Sequence, residues 1–242
     1  MMTTSNDQDF LEQKRFQELY NLLHTAVHDL KNPLTTIPVR ADLIKLKKHD
    51  PELVDKMCDQ IKIASLSMVR IIDELLEMGS IQSGKMSLML IKLPLVDVVK
   101  NVITMTLPLA ERKNQKIHFN STCDPIIQGD ESKLNEVVDN LINNAIKYSP
   151  AETSIHVSVT QVEGNARIEI RDEGPGLSPE DMKQLYQRFT RLSAQPTGGE
   201  NSTGLGLSIV KALVEAHHGK LWAESDGKGT GATFIAEFPL RS

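Results

Sequence analysis

A histidine on a predicted helix is the first group in this sequence that could do chemistry. His28 is followed directly by Asp29, and Asn32 lies one helical turn further along the same face. Imidazole is the side chain whose charge changes near neutral pH, which suits it to proton transfer. From the helical pattern alone, an ordinary histidine on a wet helix surface is the simpler interpretation, because the chain contains seven histidines.

A second set of polar residues shares one face of a later helix. Asn140 and Asn144 are one turn apart, and Lys147 or Tyr148 continues the same stripe. The stripe offers two amide oxygens, a cation and an aromatic ring. Asparagine is a poor residue inside a helix, because its side chain competes for backbone hydrogen bonds. The spacing favours a ligand-binding face, with a hydrogen-bonded structural face as the alternative.

Two glycine-containing loops could bind other parts of the same ligand. In the first, the carboxylate of Asp172 could accept from an exocyclic amine, while Gly174 and Gly176 would let a flat base approach the backbone. The second runs from Thr203 to Gly206 and leads straight into an apolar helix. The free amides at that helix start would form a cradle for phosphate.

Other phosphate-binding motifs are missing from the sequence. There is no GxxxxGK[ST] run, which excludes a P-loop enzyme as far as motifs can. A dinucleotide fold is disfavoured because Ile209 occupies the third glycine position, and the kinase motifs HRD and DFG are absent. The polar stretch from Arg191 to Thr203 is typical of a mobile lid. These features together predict a nucleotide site.

The first half of the chain has the pattern of two long helices. Apolar residues recur at three- and four-residue spacing from Phe16, and Lys47 to Asp50 interrupts them. Asp50 suits an N-cap, Pro51 suits the first helical position, and a second stripe then continues to Gly79. The predicted seam of the first helix consists of Phe16, Leu19, Leu23, Ala26, Leu30, Leu34, Ile37, Ala41 and Ile44.

These two helices are expected to form an antiparallel hairpin over residues 16–80, preceded by a helical lead-in over residues 1–15. A single hairpin buries little apolar surface, and further apolar residues widen its exposed apolar face. We therefore predict that two hairpins associate as a homodimer with a four-helix bundle. The seam phase places His28 on the face pointing away from the core. Pro33 and Pro38 should bend the first helix beyond it.

After a linker at residues 81–85, the periodicity changes to short alternating runs separated by helices. Residues 86–242 are therefore predicted to form a mixed α/β domain. Its Asn-bearing helix should extend from about Glu131 to Tyr148 with Asp130 as N-cap. A glycine-punctuated hairpin is expected to end the domain.

Composition narrows the class of protein. The 242 residues carry a net charge of −5, which argues against a general nucleic-acid binder. The two cysteines lie far apart in the sequence and do not have the spacing of metal ligands. We therefore expect neither a disulfide framework nor a zinc site, and we expect the protein to occupy a reducing compartment. No run approaches the roughly 18 apolar residues needed for a membrane span, and residues 1–13 are unlike a signal peptide. We expect a cytoplasmic protein or the cytoplasmic portion of a larger sensor.

Five ordered motifs give the sequence a resemblance to a known family. The segments His28 to Leu34, Asn140 to Pro150, Asp172 to Gly176, Leu185 to Arg191 and Thr203 to Val210 resemble the H, N, G1, F and G2 boxes of sensor histidine kinases. The resemblance implies a dimerisation and histidine-phosphotransfer hairpin. It also implies an α/β sandwich of the GHKL (Bergerat) type, the ATP-binding fold shared with gyrase-, Hsp90- and MutL-type ATPases.

The resemblance also implies roles for individual residues. His28 would be the phosphoacceptor, Asp29 would orient it or accept its proton, and Asn32 would position water in a reverse phosphatase reaction. Asn144, assisted by Asn140, would hold Mg²⁺. The Mg²⁺ ion would lie beside the cofactor ATP, which is bound by further residues. The remaining implied ATP contacts are Lys147 and Arg188 for phosphate, Tyr148 near the base, Asp172 for the adenine amine with Gly174 and Gly176 beside it, and Thr203, Gly204, Leu205 and Gly206 for the phosphate turn.

The implied activity is autophosphorylation of His28, followed by transfer to an aspartate on the receiver domain of a response regulator. No sensor domain is visible, so the stimulus would reach the chain through another segment or protein. Ser202, Tyr186 and Pro38 depart from the usual family pattern and are expected to alter rates or lid geometry. A catalytically silent nucleotide-binding scaffold or phosphatase, and a hydrolysing ATPase of the same fold, are the alternatives.

Overall fold

The computed structural model describes residues 4–84, 86–188, 190, 192–197 and 204–240, without the side chains of residues 4–19, 21, 22 and 82. Within that description the chain forms two compact units, and the boundary between them falls between Ser80 and Ile81. No helix in the described ranges is both long and apolar enough to cross a membrane.

The first unit consists of two long helices. Helix α1 spans Thr4–Leu46 and contains Pro33 and Pro38, and helix α2 spans Pro51–Gln82. Helix α2 begins as predicted, because the backbone N–H of Leu53 donates to Asp50 Oδ1 at 3.1 Å. It continues through Gly79 to Gln82, so its last residues fall within the stretch predicted as a linker.

Every second member of the predicted stripe of α2 is buried and the others are half-buried; the stripe consists of Val54, Met57, Ile61, Ala64, Met68, Ile71, Leu75 and Met78. Met57, Ala64, Ile71 and Met78 are buried at a seven-residue repeat. A stripe of this spacing stays on one side of a helix and can bury continuously against a neighbour. The sequence pattern therefore identified the inner face of this helix.

The predicted seam of α1 is only partly correct. Ala26 is buried, but Leu23 and Leu34 are more than half exposed in the protomer, and Asp29 is buried. Phe16 and Leu19 lie outside the residues whose side chains are described. A single hairpin can cover only one side of each helix, which leaves the rest of a wide apolar face in solvent. The exposed aliphatic residues of the unit include Leu23, Val27, Leu34, Val39, Ile63, Leu66, Val69, Ile72 and Leu76.

The second unit is a mixed α/β structure, as predicted. Its strands are β1 Ile91–Pro94, β2 Lys116–Ser121, β3 Ile126–Gly129, β4 Ser154–Val162, β5 Asn165–Arg171, β6 Lys220–Glu224 and β7 Thr233–Pro239. Its helices are α3 Leu95–Glu111, α4 Glu131–Tyr148, α5 Pro179–Gln184 and α6 Gly206–Ala216.

Five strands form the main sheet in the order β2-β4-β5-β7-β6, and β1 pairs with β3 separately. Strands β2 and β4 are parallel, whereas the other neighbours are antiparallel. Alternate residues of β4 and β5, such as Val157 and Ile168, are fully buried. Helices α3, α4 and α6 supply the facing layer, and α4 and α6 also contact each other. The α/β sandwich expected from the sequence is therefore confirmed.

Candidate functional site

The imidazole of His28 projects into solvent from α1, as predicted. Its side chain is 65% exposed, whereas that of Asp29 is 3% exposed. His28 Nδ1 lies 3.4 Å from Asp29 Oδ1. The neighbouring carboxylate thus contacts one ring nitrogen from the buried side of the helix.

The next turn of α1 has an altered hydrogen-bond pattern. Pro33 has no N–H to donate to the carbonyl of Asp29. The carbonyl of Asn32 accepts from the hydroxyls of Thr35 at 2.8 Å and Thr36 at 3.0 Å. The Asn32 side chain is exposed on the same helix as His28.

Helix α4 begins and ends where the sequence predicts. Asp130 caps it by accepting from the backbone N–H groups of Ser132 and Lys133. Burial tends to raise the pKa of Asp130, but these bonds and one from Met89 N–H lower it overall. The cap therefore stays ionised at the positive end of the helix dipole.

His217 holds the same end of α4 and was missed by sequence reasoning. Its Nε2 accepts from the backbone N–H of Asp130 at 3.0 Å, and its Nδ1 donates to Leu213 O at 2.7 Å. Burial lowers the pKa of this imidazole, so the neutral form with Nδ1–H is favoured. The side chain joins the end of α6 to the start of α4.

Asn140 and Asn144 lie on α4 as predicted, in different environments. Asn140 is buried, and its Nδ2 donates to the carbonyl of Glu136 at 3.0 Å. That bond fixes which end of the amide is oxygen, and Oδ1 points toward Gly206 at the start of α6. Asn144 is half-buried one turn later. The oxygen of such an amide is a suitable ligand for the hard Mg²⁺ ion. Among the described residues, no cluster of three or more His, Cys, Asp or Glu side chains could hold a metal ion.

The last turn of α4 meets the Asp172 loop. Asp172 is buried just after β5, and its Oδ1 accepts from Gly174 N–H at 2.8 Å and Ala232 N–H at 3.2 Å. Burial raises the pKa of this carboxyl. Gly174 lies close to the carbonyl of Tyr148, and Lys147 Nζ lies 5.6 Å from the centre of the Tyr148 ring. The structure therefore brings Tyr148 and the Asp172 loop together.

Gly176 adopts a backbone conformation that requires glycine. Its φ is +69°, and a Cβ there would collide with the carbonyl of Gly227. The loop containing Gly227 packs beneath the Asp172 loop, where Ser225 Oγ accepts from Leu177 N–H at 3.0 Å. The close approach of the Gly227 carbonyl thus explains why position 176 must be glycine.

The predicted phosphate turn is described from Gly204 onward. Gly204 has φ +71°, Leu205 is buried, and Gly206 begins α6 beside Asn140. Thr203 lies outside the described residues, as do Ser202 and part of the expected lid. Arg188 lies in the turn after α5 with its side chain exposed.

Sequence reasoning also missed three side chains at the end of α4. Lys113 and Gln115 follow α3, and Thr197 is the last residue of the described segment 192–197. They donate to carbonyls in or just beyond the last turn of α4. No short motif marks them, because the contacts are made between residues far apart in sequence.

Comparison with known families matches both units. The family described as His Kinase A (phospho-acceptor) domain matches residues 18–84. The family described as Histidine kinase-, DNA gyrase B-, and HSP90-like ATPase matches residues 129–242.

Curated relatives align over most of this chain. The sensor-like histidine kinase SenX3 of Mycolicibacterium smegmatis is 28% identical over 88% of this chain and 55% of its own length. The sensor histidine kinase WalK of Bacillus subtilis is 29% identical over 95% of this chain and 38% of its own length. The chain thus spans about half or less of the length of these relatives.

Solved structures show the same fold. The histidine kinase AdeS of Acinetobacter baumannii has a TM-score of 0.66 at 24% identity, covering 89% of this chain and 98% of that one. The histidine kinase ThkA, solved in complex with the response regulator protein TrrA, has a TM-score of 0.69 at 22% identity, covering 100% of this chain and 67% of that one.

Proposed function

The chain belongs to the sensor histidine kinase family, and we propose that it uses ATP to phosphorylate His28 and passes the phosphoryl group to an aspartate of a response regulator. The observation that carries the proposal is the exposed ring of His28 backed by the buried carboxylate of Asp29. Such a ring is open to an incoming phosphoryl donor while one of its nitrogens is held by a fixed partner.

The geometry assigns different tasks to the two ring nitrogens. Nδ1 faces Asp29 and would carry the proton, so Nε2 would hold the lone pair that attacks. In the proposed step Nε2 forms a bond to the γ-phosphorus of ATP, and the bond from that phosphorus to the bridging oxygen breaks to release ADP. Asp29 orients the imidazole and stabilises or accepts the Nδ1 proton.

The second unit would bind the nucleotide. Asp172 would accept from the adenine amine, Tyr148 would pack near the base, and Lys147 and Arg188 would balance phosphate charge. Asn140 and Asn144 would hold Mg²⁺, which supplies charge neutralisation to the phosphates when bound. The phosphate turn would comprise Thr203, Gly204, Leu205 and Gly206, with Gly174 and Gly176 shaping the base pocket.

An amide at position 140 is consistent with transfer to a histidine rather than to water. The resemblance to the GHKL-type ATPases implies that, in hydrolysing relatives, a glutamate that activates water corresponds to Asn140. Asn140 cannot act as that base, and its Nδ2 is already committed to the Glu136 carbonyl. We therefore infer that water activation is weak and that His28 is the acceptor.

The proposed partners are a second copy of the chain and a receiver domain. The exposed aliphatic residues of α1 and α2 would be buried in a homodimeric four-helix bundle. ThkA was solved in complex with the response regulator protein TrrA, which supports a receiver partner here. Asn32 would position water for the reverse phosphatase reaction. Because ATP is the proposed donor, we infer that these two units act in the cytoplasm.

Incubation with γ-labelled ATP and Mg²⁺ tests the proposal. We expect an acid-labile, base-stable label on the wild-type chain and on His49→Gln, whose exposed imidazole serves as a control, but none on His28→Gln. ATP binding without label would contradict kinase activity and indicate a scaffold or a phosphatase. Steady phosphate release that persists in His28→Gln would indicate a hydrolysing ATPase.

A further inference from the structure

The C-terminal end of α4 is enclosed by side chains from two other parts of the second unit. Gln115 Nε2 donates to Ile146 O at 3.1 Å, Ser149 O at 3.0 Å and Pro150 O at 2.9 Å. Helix ends normally leave carbonyl groups that need donors. Here those donors come from the turn after α3 and from the loop before α6.

Lys113 provides the charged part of this arrangement. Its Nζ donates to Ile146 O at 2.9 Å, Lys147 O at 3.1 Å and Thr197 Oγ1 at 2.8 Å. An ammonium group can donate several hydrogen bonds at once, which suits it to bridge these acceptors. Its charge also lies at the negative end of the α4 dipole, where a cation is favoured.

Thr197 joins the loop to the same turn of the helix. Its backbone N–H donates to Lys147 O at 3.1 Å, and its hydroxyl donates to Ser149 O at 2.8 Å while accepting from Lys113. Lys113 and Thr197 therefore share the acceptor Lys147 O and contact each other directly. Removing either side chain should weaken the contacts of the other.

The same loop has a second attachment nearer its start. Ser193 donates from its backbone N–H to Asp181 Oδ1 at 2.9 Å and from its hydroxyl to Asp181 Oδ2 at 2.7 Å. Burial opposes ionisation of Asp181, but the bonds from Ser193 and Ser178 hold its pKa well below its usual range. With Ser193 fixed to α5, Thr197 fixes the following part of the loop to α4.

We propose that Lys113 and Thr197 are positioning residues for the nucleotide site. The turn that they hold carries the side chains of Lys147 and Tyr148, and the Tyr148 carbonyl lies beside Gly174 in the Asp172 loop. A shift of this turn would move the proposed phosphate and base contacts together. The inference rests on the proposed function, because it assigns these residues an effect on ATP binding.

A purely structural cap would behave differently from a positioning pair. Loss of a cap lowers the fraction of folded protein, which reduces the amount of active enzyme without changing the ATP affinity of the molecules that remain folded. Loss of a positioning contact weakens ATP binding in a chain that is still folded. ATP affinity and KM, compared with kcat, therefore separate the two roles.

The experiment uses the full chain with Lys113→Met, Thr197→Val and the double variant. Lys116→Met, an exposed lysine on β2, is the matched control, and Thr197→Ser retains the hydroxyl. Calorimetric titration with MgATP measures Kd, labelling of His28 measures KM and kcat, and thermal melting measures folding. We expect each single variant to raise Kd and KM about tenfold, because the proposed phosphate contact of Lys147 and the proposed base contact of Tyr148 would be displaced together. We expect kcat to stay within about twofold.

The Kd of the double variant for MgATP should also rise only about tenfold, because the two side chains act as one unit. Lys116→Met and Thr197→Ser should bind MgATP as the wild type does. The inference would be overturned if either single variant had an unchanged Kd. It would also be overturned if the Kd of the double variant rose by the product of the two single effects. A wild-type chain that binds MgATP but is not labelled contradicts the proposed kinase activity alone, since the Kd series still tests the positioning role. A wild-type chain that does not bind MgATP overturns both.

Discussion

The side-chain oxygen of Asn140 lies against Gly206, where a Cβ at position 206 would be 3.0 Å from Asn140 Oδ1. That separation is closer than an ordinary van der Waals contact, and the Asn140 amide is held by its bond to the Glu136 carbonyl. The helix that carries the asparagines and the glycine start of α6 therefore depend on each other.

Gly206→Ala is expected to weaken MgATP binding about five- to tenfold, because the new methyl group displaces Asn140 or the start of α6. The change in unfolding free energy should stay within about 1 kcal/mol, since alanine is the better helix former. Calorimetry and chemical unfolding measure the two effects. Gly79→Ala is the matched control: it lies in α2 with open space around it, and it should stabilise the chain without changing ATP affinity. Equal ATP affinity in both variants would contradict the assignment of Asn140.

Asp172→Asn separates ligand recognition from folding. Burial raises the pKa of the Asp172 carboxyl in the folded chain. The protonated carboxyl therefore stabilises the fold at pH values below its unfolded pKa near 3.8, and this stabilisation is lost as the pH rises through the folded pKa. At neutral pH an amide, which can still accept from Gly174 N–H and Ala232 N–H, should leave stability unchanged or higher. ATP affinity should nevertheless fall at least about tenfold, because an NH₂ group would face the adenine amine.

Calorimetry of Asp172→Asn beside the exposed control Asp124→Asn tests this prediction. Retained ATP binding in Asp172→Asn would show that the carboxylate does not recognise the base.

His217 should make the stability of the second unit sensitive to acid. Burial lowers its folded pKa below 6.5; nearby Asp130 opposes the shift and His218 adds to it. The unfolded chain then binds more protons, so the unfolding free energy should fall as pH drops below about 6.5, by at most about 1.4 kcal/mol per pH unit. The Asp130 carboxyl, whose pKa is lowered, stays ionised over this range.

Urea unfolding between pH 7 and pH 5 measures the effect. His217→Gln should flatten the pH dependence. An unchanged slope in His217→Gln would exclude this residue as its source.

Tyr186→Phe should not destabilise the chain. The Tyr186 hydroxyl is buried without a hydrogen-bond partner in the described part of the structure, and burial raises its pKa to about 12. Phenylalanine would keep the ring beneath Lys211 and remove the unsatisfied hydroxyl, so we expect an unfolding free energy unchanged or higher by about 1 kcal/mol. A loss greater than about 1 kcal/mol in chemical unfolding would mean that the hydroxyl has a stabilising partner.

Local signals predicted much of this molecule. Helix α4 runs from its Asp130 cap to Tyr148 as expected, because capping and helical periodicity depend on residues close together in sequence. The exposure of His28 followed from the same periodicity.

Long-range contacts could not be predicted in this way. The bond from Asp130 to His217 joins residues 87 positions apart, and that from Lys113 to Thr197 joins residues 84 apart. The exposed side chains of Leu23 and Leu34 illustrate a second limit of sequence-based prediction. A heptad pattern identifies the apolar face of a helix but does not identify the helix that packs against it. Both kinds of information arise from tertiary packing.

Intact-mass measurement after incubation with MgATP tests the central claim most directly. We predict that the wild-type chain gains the mass of one phosphoryl group and that peptide mapping places it on His28 as a phosphoramidate. His28→Gln should gain nothing while still binding MgATP. A phosphoryl group on any other residue, or ATP binding without any mass gain in the wild type, would contradict the account.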